Sequence, residues 1–183
     1  MAFWNTTELD PKRQFKFRVT FDFLNRGTTD TSSTFIAQTA DRPSYTISDT
    51  AKIHYLDKEF SFPGKITWKP IKVKFVDATG VGSVNVSSQT YQYLARAGWI
   101  SPNGAAGGIA PENMGTINKK AGVLNIGIDV LDSSGTTVDR WTIKNAFIND
   151  VALNNLDYAA EAILTVEYTF RYDWAELTGR TIS

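Results

Sequence analysis

The sequence predicts a mainly β chain: an antiparallel β-sandwich or barrel with one α-helix and a long β-hairpin. Three observations carry this reading. Apolar and polar residues alternate with a period of two over several long stretches. Turn signals separate those stretches where a parallel fold would place helices. Aromatic residues make up 13% of the 183-residue chain, which suits pleated, half-buried surfaces. Hydrophobic residues at 42% exclude a disordered chain, and the length fits one domain over 1–183.

Between Gln14 and Leu24, Phe15, Phe17, Val19, Phe21 and Phe23 fall on one side and Gln14, Lys16, Arg18, Thr20 and Asp22 on the other, the pattern of a half-buried strand. Residues 25–34 read as a loop, 35–40 as a short strand, and Pro43 as a turn. From Tyr45 to Phe62, Tyr45, Ile47, Ile53, Tyr55, Phe60 and Phe62 recur at alternate positions around a polar Asp57-Lys58 turn, predicting a long hairpin that Pro63-Gly64 ends. Six such residues exceed what an isolated subunit needs, so they are expected to bury against neighbouring copies. Residues 65–76, with Trp68, Ile71, Val73 and Phe75, form the next strand run, and Pro70 marks an edge or bulge in it.

The helix is expected over Ser87 to Gly98, capped by Ser87 or Ser88, with Tyr91, Leu94 and Ala95 at helical spacing. Residues 99–122 are rich in Gly, Ala, Asn and Pro and predict a long surface loop that orders on assembly. Leu124 to Val130 and Val138 to Ile143 predict a hairpin about Ser133-Ser134-Gly135. Ala162, Leu164, Val166, Tyr168, Phe170 and Tyr172 give a final long strand. The expectation is seven or so strands and one helix, without internal repeats.

The chemistry that the chain excludes narrows its function. Nineteen basic and nineteen acidic residues cancel, leaving no global field to hold nucleic acid or an anionic membrane. Cysteine is absent, which removes disulfides, thiolate nucleophiles and cysteine-ligated zinc. A triad or a histidine metal site would have to run through His54, the one histidine, which lies opposite the apolar side of the hairpin as an ordinary polar position does. Asp129 and Glu167 could pair as glycosidase carboxylates, yet both alternate with apolar neighbours as solvent-facing strand positions do. Gly80-Val81-Gly82 lacks the further glycine or the Gly-Lys-Ser/Thr of a phosphate loop and reads as a turn. Lys65, Lys69, Lys72 and Lys74 near Trp68 could form a single-strand platform, but a solvated strand face is the simpler reading. No catalytic, metal or cofactor site is expected, and hence no enzyme. The N-terminus lacks the basic region and apolar core of a signal peptide, and no apolar run reaches the roughly 20 residues of a membrane span, so a chain made in the cytoplasm and without membrane contact is expected.

Several stretches resemble a known family. Pro11 through Val19 resembles the opening strand of the tail tube proteins of contractile-tailed, T-even-type bacteriophages. Pro43 through Trp68, followed by Lys72-Val73-Lys74-Phe75-Val76-Asp77, is similar to their hairpin and the strand after it. Trp141 to Val151 and Leu164 to Ala175 are similar to their C-terminal hairpin and ending. The resemblance implies a β-sandwich or barrel subunit shared with type VI secretion and other contractile injection tubes. It further implies six-membered rings that stack into a hollow tube in the virion, inside a contractile sheath, with the long hairpin joining subunits. The implied partners are other copies, the tail sheath protein, baseplate and tail terminator proteins, and, in the lumen, the tape measure protein and transiting DNA. The inner tube of a bacterial contractile injection or secretion system is the alternative within this class. A carbohydrate-binding β-sandwich, presenting its aromatic residues on one concave face, is the alternative outside it.

Overall fold

The computed structural model describes residues 12–21, 37–78, 86–97, 99, 124–159 and 161–179. Their elements are β1 (Phe17–Phe21), β2 (Ala37–Ala40), β3 (Tyr45–Tyr55), β4 (Lys58–Trp68), β5 (Ile71–Val76), α1 (Val86–Arg96), β6 (Leu124–Leu131), β7 (Thr137–Leu153), β8 (Thr165–Arg171) and β9 (Trp174–Gly179). Among the described residues, seven strands hydrogen-bond in the order β1-β6-β7-β8-β5-β2, with β9 also on β7, while β3 and β4 pair only with each other. Every pairing is antiparallel. Among the described residues the fold is mainly β with one helix, as the alternation predicts.

The bend of β7 produces the sandwich. Its first part pairs with β6 on one side and β9 on the other, and from Phe147 onward it pairs with β8. One strand thus belongs to two sheets, β1-β6-β7-β9 and β7-β8-β5-β2, which is how sandwiches build a corner. At the switch Asn145 adopts φ 55°, a left-handed conformation that asparagine tolerates better than most residues. Its side-chain amide donates to Asp173 at 3.0 Å, in the break between β8 and β9, so both strands turn the corner together. Val19, Ile126, Ile128, Ile143, Ile71, Val73, Phe75, Val166, Tyr168 and Phe170 close the core between the two sheets. Helix α1 lies on this core through Val86, Thr90, Tyr93 and Ala97, all buried and spaced as one helical face. The Thr90 hydroxyl bonds to the backbone carbonyl of Val86 at 2.8 Å and to the Tyr168 phenol.

Several expectations are corrected. The first strand starts at Phe17 rather than Gln14, because Arg13 to Lys16 closes a turn through Lys16 N–H to Arg13 C=O at 3.3 Å, leaving Phe15 exposed. Pro63-Gly64 does not end the hairpin: β4 runs through both residues to Trp68, with register shifts where Asp49 faces Pro63. The 65–76 run is instead two strands, broken at Lys69-Pro70: Lys69 N–H still bonds to Ser44 C=O at 2.9 Å in the register of the hairpin, and Pro70, which follows, has no N–H to give. Neither Ser87 nor Ser88 caps the helix by itself. Asp77 accepts the Val86 N–H at 3.0 Å and the Ser87 hydroxyl at 2.5 Å, placing an acidic group at the N-terminus, where the helix dipole favours it. Tyr91 and Ala95 face outward. Ala162 to Leu164 precede the last core strand and are exposed, β7 runs on to Leu153 past the expected end at Ile143, and β9 is a strand that the alternation does not announce. The glycine turn at 80–82, the cap at Gly98 and most of the 99–122 loop lie outside the described residues.

Candidate assembly surface

The hairpin β3-β4 stands apart from both sheets and is held at its root. Pro43 is buried, and Tyr45 meets Trp68 edge-on at 5.2 Å. Trp68 in turn packs on Tyr172 at 5.8 Å, next to the sheet corner. Beyond this anchor the register pairs Tyr45 with Trp68, Ile47 with Ile66, Ala51 with Phe62, Ile53 with Phe60 and Tyr55 with Lys58. Directly opposed residues of an antiparallel pair share a face. These pairs therefore collect nearly all the apolar residues of both strands on one face. The other face carries Thr46 opposite Thr67, Lys52 opposite Ser61 and His54 opposite Glu59, with Lys52 bridging to Glu59 at 2.6 Å.

The six residues expected at an assembly surface, Tyr45, Ile47, Ile53, Tyr55, Phe60 and Phe62, all lie on this apolar face, and each is between 49% and 69% exposed. Ile66 belongs with them at 57%. Its signal was available in the even-numbered alternation Phe60, Phe62, Ile66, Trp68, once Pro63-Gly64 is not taken as a break. At the tip, Leu56 is 88% exposed and holds φ 56°, a conformation costing a non-glycine residue on the order of 1 kcal/mol. A half-exposed apolar sheet face of this kind is a candidate interaction surface.

The other candidate residues do not assemble into chemistry. His54 lies exposed on the polar hairpin face. Among the described residues no group of three or more His, Asp or Glu side chains could hold a metal ion. Asp129 corrects the expectation of a solvent-facing carboxylate, since it is fully buried. Arg18 on β1 and Arg140 on β7 flank it in register and both donate to it, Arg18 at 2.7 Å and Arg140 at 2.6 Å. Burial pushes its carboxyl toward higher pKa, but the hydrogen bonds from Arg140 and Arg18 outweigh this and hold it below the ordinary value. Glu167 lies on β8 in the other sheet, bonded to Lys72 at 2.8 Å, so the two carboxylates do not form a catalytic pair. Lys65 and Lys69 are separated from Lys72 and Lys74 by the break at Pro70, and Lys72 is neutralised by Glu167, whose hydrogen bond and charge raise the Lys72 pKa. No helix among the described residues is long and apolar enough to cross a membrane.

No protein-family model and no curated protein matches the chain. Solved structures do match it over nearly its whole length. A chain of the anti-feeding prophage baseplate, solved with six-fold symmetrisation, aligns with TM-score 0.60 and 11% identity, covering 95% of this chain and 99% of that one. A chain of the sheath-tube complex of an extracellular contractile injection system, in the extended state, aligns with TM-score 0.61 and 13% identity, covering 98% and 99%. The SPP1 tail tube aligns with TM-score 0.53 and 10% identity, covering 93% and 80%. At such identities the likeness is one of fold: this chain has the fold shared by a phage tail tube and by chains of contractile injection assemblies.

Proposed function

We propose that this chain is a non-enzymatic structural subunit of a bacteriophage tail tube, closing into six-membered rings that stack into a hollow conduit for DNA inside a contractile sheath. The observation that carries the reading is the hairpin, whose apolar face is complete, half-exposed and outside the subunit's own core. Neighbouring copies cover that face, and a closed ring or stack is the arrangement that satisfies every copy alike. The fold likeness to a tail tube and to a six-fold symmetrised assembly agrees with it. A net charge of zero suits a wall past which DNA slides, because each added basic contact would add affinity and drag. On this reading the sheath, baseplate and tail terminator proteins contact the tube from outside or at its ends, and the tape measure protein precedes DNA in the lumen.

The inner tube of a bacterial contractile injection system, carrying protein cargo, is the second reading. The near-complete mutual coverage with the injection-system chains favours it as much as the tail tube likeness favours the first. Both predict the same assembly. Sedimentation velocity and negative-stain microscopy of the purified chain should give rings or tubes with a central hole; a monomer at every concentration would refute both.

A further inference from the structure

Among the described residues the sandwich is open on one side. β1 and β2 end the path β1-β6-β7-β8-β5-β2 without a ladder between them, and a groove of about 530 Å³ lies there. Phe17 and Ile128 give it an apolar lining, and Phe15, which also lines it, is 72% exposed. Arg13, Lys16 and Arg42 supply positive charge. Lys12 is already paired with Asp139, whereas Lys16 donates only to the Ser133 carbonyl, at 3.0 Å, and so keeps its charge. Asp132 shares a neighbouring cavity with Arg13 and Lys16, but its carboxylate accepts the Ser134 and Thr136 N–H groups of its own turn. Three cations thus face one lining carboxylate, Asp41.

We infer that residues 1–11 of the same chain fold back into this groove and close the sandwich there, an inference that does not depend on the assembly reading. Their composition fits the slot. Phe3, Trp4 and Leu9 are apolar, Glu8 and Asp10 are acidic, and no lysine or arginine lies between Met1 and Pro11. An apolar segment with acidic side chains thus meets an apolar slot with an excess of basic ones. Their position fits as well, because Pro11 adjoins Lys12, itself a lining residue. From Lys12 back to Trp4, at about 3.3 Å per residue, the chain reaches up to roughly 26 Å, more than the ~10 Å between packed sheets, so Trp4 can cross from the β1 side to the β2 side. A short tether of this kind supplies an effective concentration of about 1 mM. Even a modest contact then keeps the groove filled, covers Phe15 and extends the core across the gap between β1 and β2.

The chain has no cysteine, so an engineered pair reports without background. Thr39 lines the groove from β2. Asn5→Cys with Thr39→Cys should on mild oxidation give an internally linked monomer, a faster band on non-reducing gels, whereas Asn5→Cys with Lys52→Cys, out along the hairpin, should not. As a second measurement, the full-length variant Phe3→Asp with Trp4→Asp should bind a fluorescent peptide of residues 1–11 with Kd below about 1 mM, the effective concentration of the tether. The unaltered chain, its groove filled, should bind the same peptide about tenfold more weakly. Glu8→Lys with Asp10→Lys in the peptide should weaken its binding about fivefold. Linked dimers in place of the linked monomer would assign the groove to a neighbour's segment and overturn the inference. Equal linking of both cysteine pairs, a peptide that binds the two chains alike or neither of them, or one indifferent to its own charge would each overturn it as well.

Discussion

Replacing Tyr55 and Phe60 together by aspartate separates assembly from folding. The two residues are diagonal across the hairpin, since Tyr55 faces Lys58 and Phe60 faces Ile53, so the new carboxylates are not directly opposed. In the subunit Tyr55 is 69% and Phe60 50% exposed, so the fold loses at most their cross-strand packing, about 0.2–1 kcal/mol each. At roughly 2–4 °C per kcal/mol for a chain of this size, the melting temperature falls by only a few degrees. Covering their exposed halves against a neighbour contributes about 0.7–1.5 kcal/mol each, half of the 1.5–3 kcal/mol for burying a whole large side chain. Losing both costs each contact about 1.5–3 kcal/mol, a tenfold to hundredfold weakening, before the penalty of burying two carboxylates. Sedimentation velocity with far-UV circular dichroism reads both quantities. The expected variant keeps its β spectrum and stays monomeric where the unaltered chain forms rings. An unfolded variant, or one that polymerises at the original concentration, refutes the reasoning.

Three further predictions concern the sandwich. Asp129→Asn should cost about 1.5–3 kcal/mol at neutral pH. Because the folded carboxyl titrates below its unfolded value, its contribution is complete above about pH 4 and is lost as the pH falls through the folded value, so acid unfolding curves of the two proteins should converge at low pH. Asn145→Val places a β-branched residue at φ 55° and removes the bond to Asp173, a loss of about 2–3 kcal/mol in urea unfolding, whereas Asn145→Gly, free of the backbone strain, should lose about 1 kcal/mol. Burial raises the Tyr168 phenol to about 12, although its hydrogen bond with Thr90 pulls the other way. Alkaline stability should therefore fall as the pH rises from about 10 to about 12, and Tyr168→Phe should flatten that fall.

Local pattern made the hairpin, β6 and β8 legible, because alternation directly encodes a strand with one covered face. It placed Asp129 on the correct side of β6, opposite Ile128, but not its burial, which arises when Arg18 and Arg140 arrive from strands 111 and 11 residues away. No local rule contains that meeting. Pro63-Gly64 read as a stop because proline lacks the ladder donor, yet a two-stranded ribbon with an irregular register tolerates it. The buried face of α1 is likewise out of reach of local pattern. Thr90, which looks polar, is buried because Tyr168 and the Val86 carbonyl satisfy its hydroxyl. The exposure of the hairpin's apolar face was a matter of tertiary placement: its sequence is equally suited to a core, and only the finished sandwich leaves it uncovered.

Cryo-electron microscopy of assemblies formed by the purified chain tests the central claim most directly. The expected map shows six-membered rings around an open channel, with Tyr45, Ile47, Ile53, Tyr55, Phe60 and Phe62 covered by a neighbouring copy. An assembly in which that face points into solvent, or a chain that remains monomeric under every condition, would contradict it.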